Sequence, residues 1–283
     1  MRPLVAASRR AFTLTEMIIA MVILAVIGAS LVRILGLQSH LFEKAAAQRQ
    51  TRVVARSTRN IVDSDLRMIE VSNGLVAATS TTLTLRSPYA MGIVCGAGGG
   101  NASTIVSVAP VDSGVWANAG LSGYAWRDAS GAYSYVETGV SATASPSTVC
   151  TNASIATLAG GRVVALAPAL PAGAVAGTPV LFEQRLLYEF KNSVMVPGST
   201  ALWRTVVATG AAEELVAPFT SGAHFKFFVL NSDTSQSAVP SPLANARGIE
   251  LDLRTRSAHA SPGAVAPEST LVTTAIFFRN RIN

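Results

Sequence analysis

The hydrophobic pattern of the chain changes character twice. Between Glu16 and Arg33 lie sixteen uncharged residues, MIIAMVILAVIGASLV. Extended to residues 12–37, this apolar segment has no polar face. About twenty such residues span a bilayer as a helix rising about 1.5 Å per residue. Residues 38–73 then turn amphipathic. Ala47, Val54, Ile61 and Met68 recur at sevens, with Val62 and Ile69 beside them. Arg49, Arg52, Arg56, Arg59, Asp63, Arg67 and Glu70 follow spacings of three and four on the other face. That is the signature of a helix with one buried stripe. Ser72-Asn73-Gly74 is a helix stop. The pattern predicts one helix from Thr13 to Ser72, roughly 90 Å long, with Gly28 loosening its apolar half.

From Thr81 the period falls to two. TTLTLRS alternates Leu83 and Leu85. Residues 88–178 read as a loop-rich insertion, with short strand candidates in STIVSVA, AYSYVET and RVVALA. After Thr178 come VLFEQ, RLLYEFKNS, ALWRTVVAT, EELVAPF, AHFKFFVLN, ARGIELDLRTRS and STLVTTAIFFRN. Apolar residues alternate in these runs, and Pro197-Gly198 marks a turn. An antiparallel meander with one buried face is predicted. The fold class is therefore α+β: a long helix followed by a β-rich body over 74–283.

Composition changes this picture little. The chain has 283 residues, 49% hydrophobic and 13% charged, too apolar to be disordered throughout. Its net charge of +6 includes Arg2, Arg9 and Arg10 ahead of the apolar segment. Positive flanks of this kind orient a membrane helix and stay on the cytoplasmic side. The basic balance is thus weak support for nucleic-acid binding. The arginine face of the helix keeps two readings open: a solvated face, or a surface for DNA or anionic lipid.

Two cysteines, Cys95 and Cys150, bracket most of the insertion. One disulfide and two buried thiols are the alternatives. A bridge closing so long a loop is worth about 4 kcal/mol in the chain-entropy model. Trp116, Tyr124, Trp126, Tyr133 and Tyr135 supply either the insertion's small core or a partner surface. No G-x-S-x-G, H-E-x-x-H or P-loop pattern occurs, and His40, His224 and His259 have no metal-ligand spacing. The expectation is a non-enzymatic protein without metal or cofactor.

The carboxylate at the head of the apolar segment needs an explanation, since a charge in a bilayer centre costs on the order of a few kcal/mol. A place near the headgroups would tolerate it. A second explanation comes from resemblance. Ala11-Phe12-Thr13-Leu14-Thr15-Glu16, preceded by arginines and followed by the apolar helix, resembles the leader junction of type IV pilins and of type II secretion pseudopilins. The resemblance implies a leader over 1–11, cut by a prepilin peptidase between Ala11 and Phe12, and N-methylation of Phe12. It implies that Glu16 recruits subunits by meeting the α-amino group of a neighbour's Phe12. The helix would be an inner-membrane anchor first and a filament core later, with the body in the periplasm. The family usually has Gly where this chain has Ala11.

Within that family, the order Tyr-containing strand, Leu-Trp-Arg strand, E-E-L-V-A-P-F, F-K-F-F-V-L, G-I-E-L-D-L-R and F-F-R-N over residues 181–280 resembles minor pilins of the PilW type and J-type pseudopilins. The implied partners are other minor and major subunits and membrane lipid. A tip subunit of an uptake pilus, binding DNA, is the alternative from a different class.

Overall fold

The structure, a computed structural model, describes residues 13–69, 73–98, 102–116, 119–127, 131, 133–171, 173–258, 260 and 265–278. Its first element is α1, Leu14–Leu66, 53 residues or roughly 80 Å. Gly28 lies inside this continuous helix. The helix ends before the predicted stop, because the chain turns at Arg67 to bury Ile69 in the core. Residues 70–72, which include the expected terminus, lie outside the described residues.

Strand β1 (Leu75–Ala78) leads into the 16-residue β2 (Thr82–Ala97). Next come β3 (Thr104–Val108), α2 (Pro110–Trp116), β4 (Gly123–Arg127), β5 (Tyr133–Val136) and β6 (Ser141–Ala144). They are followed by α3 (Thr148–Asn152), β7 (Arg162–Ala167) and β8 (Pro179–Asn192). The chain closes with β9 (Thr200–Val206), β10 (Ala211–Phe219), β11 (His224–Val229), β12 (Ser235–Gln236), β13 (Ala246–Arg256) and β14 (Ser269–Phe277).

All pairings among the described strands are antiparallel, along the order β12-β11-β13-β10-β9-β8-β2-β3-β7-β6. β1 joins β2, β14 joins β13, and the β4–β5 pair joins β8. The C-terminal part is therefore not a simple meander. β13 lies between β11 and β14 and meets β10 at one pair, Phe219 with Thr255. The sequence reading also split β8 into two strands. No turn residue separates Gln184 from Arg185, and the ladder to β2 runs unbroken past both.

Two hydrophobic cores share the long pair β2–β8. The first lies under α1, where Val54, Ala55, Val62 and Leu66 meet Leu83, Leu85, Leu186, Tyr188, Leu202, Phe225, Leu251 and Ile276. The helix stripe is displaced from the predicted one. Thr51 and Thr58 are fully buried on it, whereas Met68 is 47% exposed. Each threonine satisfies its hydroxyl on its own helix, to Gln48 O at 2.8 Å and Val54 O at 2.9 Å. Intrahelical back-bonding makes a hydroxyl acceptable on a buried face.

The second core holds Ala90, Val94, Val106, Tyr124, Trp126, Val164, Leu166, Val180 and Phe182, and no residue of α1. A bulge in β2 between Pro88 and Ala90 connects the two. Proline has no N–H to give the ladder, and the extra residue shifts strand parity. Leu83 and Leu85 pair with Tyr188 and Leu186, while Ala90 and Gly92 pair with Phe182 and Val180. Apolar residues thereby stay on one face of both strands across the bend. At Gly92 the approach is close: a Cβ there would sit 2.4 Å from the Val106 side chain. The region read as loop-rich thus carries five strands and a core, with β3, β5 and β7 at the three strand candidates and β4 and β6 in addition.

Candidate functional site: the exposed apolar helix

The first half of α1 packs against no other element among the described residues. Along it Met17, Leu24, Val32 and Phe42 stand exposed, Leu24 and Val32 at 71%. It is one helix long and apolar enough to cross a membrane. Contact with the body begins lower down, where Lys44 faces Glu268 at 4.0 Å and Thr51 meets Thr270 at 3.2 Å. So much exposed apolar surface is unstable in water and has to be covered by lipid or by other helices.

At the head of this helix Thr13 is the N-cap. Its hydroxyl accepts from the Glu16 N–H at 3.3 Å, and the Glu16 carboxylate accepts from the Thr13 N–H at 2.9 Å. This is a capping box, in which two orphan donors of the first turn are satisfied reciprocally. Sequence reasoning gave Glu16 an intersubunit role and missed this local one. The signal was present as Thr-x-x-Glu. Ala11 and Phe12, the proposed cleavage and methylation positions, lie outside the described residues.

Cys95 and Cys150 form a disulfide across 55 residues, buried with Ile105. It ties α3 to the far end of β2 and is remote from α1. The aromatic residues of the insertion divide. Tyr124 and Trp126 are buried in the second core, and burial pushes the Tyr124 hydroxyl up to about 12. Trp116 packs edge-on against Phe182 at 4.7 Å. Tyr133 and Tyr135 are half-buried, and Arg86 lies over the Tyr135 ring at 4.8 Å. Arg49, Arg52, Arg56 and Arg59 are all exposed on α1.

Two polar clusters, one tying the body to the helix end and one within the sheet, carry no sequence signal of their own. The Tyr188 hydroxyl donates to Asp65, and Arg204 Nη1 lies 3.9 Å from the same carboxylate. Burial, with Asp65 adding to it, raises the Tyr188 pKa. Elsewhere Glu137 takes Arg86 Nε at 2.7 Å and Arg185 Nη2 at 2.8 Å. The Arg86 hydrogen bond, opposed by burial and aided by Arg185, brings the Glu137 carboxyl down to about 2. Among the described residues, no three His, Cys, Asp or Glu side chains are grouped to hold a metal.

Residues 7–32 match the family model described as the prokaryotic N-terminal methylation motif. The match spans the Ala11–Phe12 junction, Glu16 and most of the exposed apolar helix. This match supports a type IV pilin-like protein. Its apolar N-terminal helix followed by an antiparallel sheet is the pilin-like α+β architecture, and the motif implies a peptidase-processed, membrane-anchored subunit that assembles with other pilins. No curated protein and no solved structure matches the chain.

Proposed function

We propose that this pilin-like chain is a minor pilin or pseudopilin. It is cut between Ala11 and Phe12, methylated on Phe12, and built into a type IV pilus or a type II secretion pseudopilus, where it primes or caps the filament. The observation that carries this is the methylation motif on a helix whose apolar half is exposed on every side. Lipid covers that half in the inner membrane, with the body in the periplasm. Neighbouring helices cover it in the filament. Glu16 then meets the α-amino group of a neighbour's Phe12, since a charge leaving water for an apolar core requires a partner. The role is structural, and no bond is made or broken by the chain itself. The order of sequence motifs over 181–280 is what supports the PilW-type or J-type reading.

The test is an epitope-tagged chain expressed with its own secretion or pilus machinery. The tag is expected in sheared filaments at a small fraction of the major subunit. A chain that stays wholly in the membrane fraction while filaments form would overturn the proposal. Loss of motility or loss of secretion on deletion separates the two systems.

The exposed Arg49, Arg52, Arg56 and Arg59 favour a second reading, a DNA-binding subunit of an uptake pilus. Neutralised phosphates make such binding fall steeply with salt. Absence of DNA binding at low salt would end this reading and leave the first intact.

A further inference from the structure

Four strands of the main sheet end together around a polar cleft of about 530 Å³. Asn192 closes β8, Thr200 opens β9, Phe219 closes β10 and Arg256 closes β13. They are neighbours by register, Asn192 with Thr200, Thr200 with Phe219, and Phe219 with Thr255. Ser221 adds a further hydroxyl to the lining. Arg256 is the one charged residue of that lining among the described residues.

The Nε–H of Arg256 is buried and has no hydrogen-bond partner among the described residues. An unsatisfied buried donor is disfavoured in a folded protein, more so on a charged group. Carboxylates nearby in the chain are committed elsewhere. Asp252 lies 3.3 Å from Lys226 and 3.4 Å from Arg254. Glu268 faces Lys44. Glu214 accepts from Ser193 and from the N–H of Val194 at 2.7 Å. Arg256 thus lines a roomy cleft, and its guanidinium has no acceptor among the described residues.

We propose that this cleft binds an anionic oxygen group carried on a polyol, the carboxylate of an acidic sugar or the phosphate of a glycerophosphate headgroup. The guanidinium takes two anionic oxygens side by side. Thr200, Ser221 and Asn192 meet the hydroxyls of the attached polyol. The cleft is larger than a lone carboxylate or phosphate requires, which is why the ligand is more than a bare anion. This goes beyond the filament role, since it gives the body a ligand of its own whatever the helix assembles into.

The test is calorimetric titration of the full chain in neutral detergent with glucuronate and with glycerol 3-phosphate, against glucose and glycerol as uncharged controls. Saturable binding of at least one acid is expected, and none of the neutral controls. Arg256→Gln should weaken it at least ten-fold. Arg127→Gln, which removes the same charge at the exposed end of β4, should leave it unchanged. Thr200→Val provides a second variant that keeps the arginine and should weaken binding several-fold. Preference for glucuronate identifies a sugar source, and preference for glycerol 3-phosphate a lipid headgroup. The proposal is overturned if the wild type binds neither acid, binds the neutral controls equally well, or binds as tightly with Gln at 256.

Discussion

Glu16 carries two tasks that a single substitution separates. In the isolated chain it closes the capping box with Thr13. In a filament it is proposed to pair with a neighbour's amino group. Glu16→Gln keeps a side-chain oxygen able to accept from Thr13 N–H but removes the charge. The variant is expected to reach the membrane at wild-type level and to be absent from filaments, as read by immunoblot of sheared and membrane fractions. Equal recovery in filaments would show that the charge is dispensable. Glu137 is a structural case at the same scale. Its folded pKa is depressed to about 2 from an ordinary 4.5. Its stabilisation is therefore complete above about 4.5 and is lost as pH falls through about 2. Glu137→Gln should lower unfolding stability by about 1–3 kcal/mol at pH 7, with little further difference from wild type near pH 2. Chemical denaturation of the full chain in detergent at the two pH values checks this.

The elements differ in how well the sequence announced them. The apolar run, the alternation in RLLYEFKNS and AHFKFFVLN, and the helix-then-sheet order were legible because period alone encodes them. The buried stripe of α1 was less so, since two of its members are Thr51 and Thr58. Their hydroxyls are satisfied by backbone carbonyls that composition does not reveal. Leu66 closes that docking face at the helix C-terminus, fully buried, and Leu66→Ala is expected to cost about 2–5 kcal/mol, as read by chemical denaturation of the full chain in detergent. The insertion was the hardest to read. Its strands are short and rich in Ala, Ser and Gly, and most of its core packs against residues on β2 and β8 far away in the chain. The disulfide holds one end of this unit. Cys95→Ser with Cys150→Ser is expected to remove about 4 kcal/mol by the chain-entropy argument. Limited proteolysis should then cut first between residues 98 and 148. Unchanged stability and cleavage would mean that strand pairing alone orders the region.

Across the whole molecule, the second core begins where the helix ends. Met68 and Ile69 share a small cleft with Pro88, Leu181, Tyr133 and Tyr135. The long β2–β8 pair carries the sheet past that point. The molecule is thus a stem, a sheet docked on the lower stem, and a continuation of that sheet over a second core that holds no stem residue. Local patterns announce the stem, the docked strands and three short strands of the continuation, β3, β5 and β7. The joining of those strands into one sheet is not legible locally, because a proline bulge and long-range pairing specify it. Nor is the Arg256 cleft, which exists only when four strand ends converge. The account as a whole depends on the stem being a processed pilin-like helix. Mass spectrometry of the protein extracted from membranes of cells with an active prepilin peptidase tests this most directly. The account predicts a mature chain beginning at N-methylated Phe12. A chain still carrying residues 1–11, or one cut after the apolar helix, would contradict it.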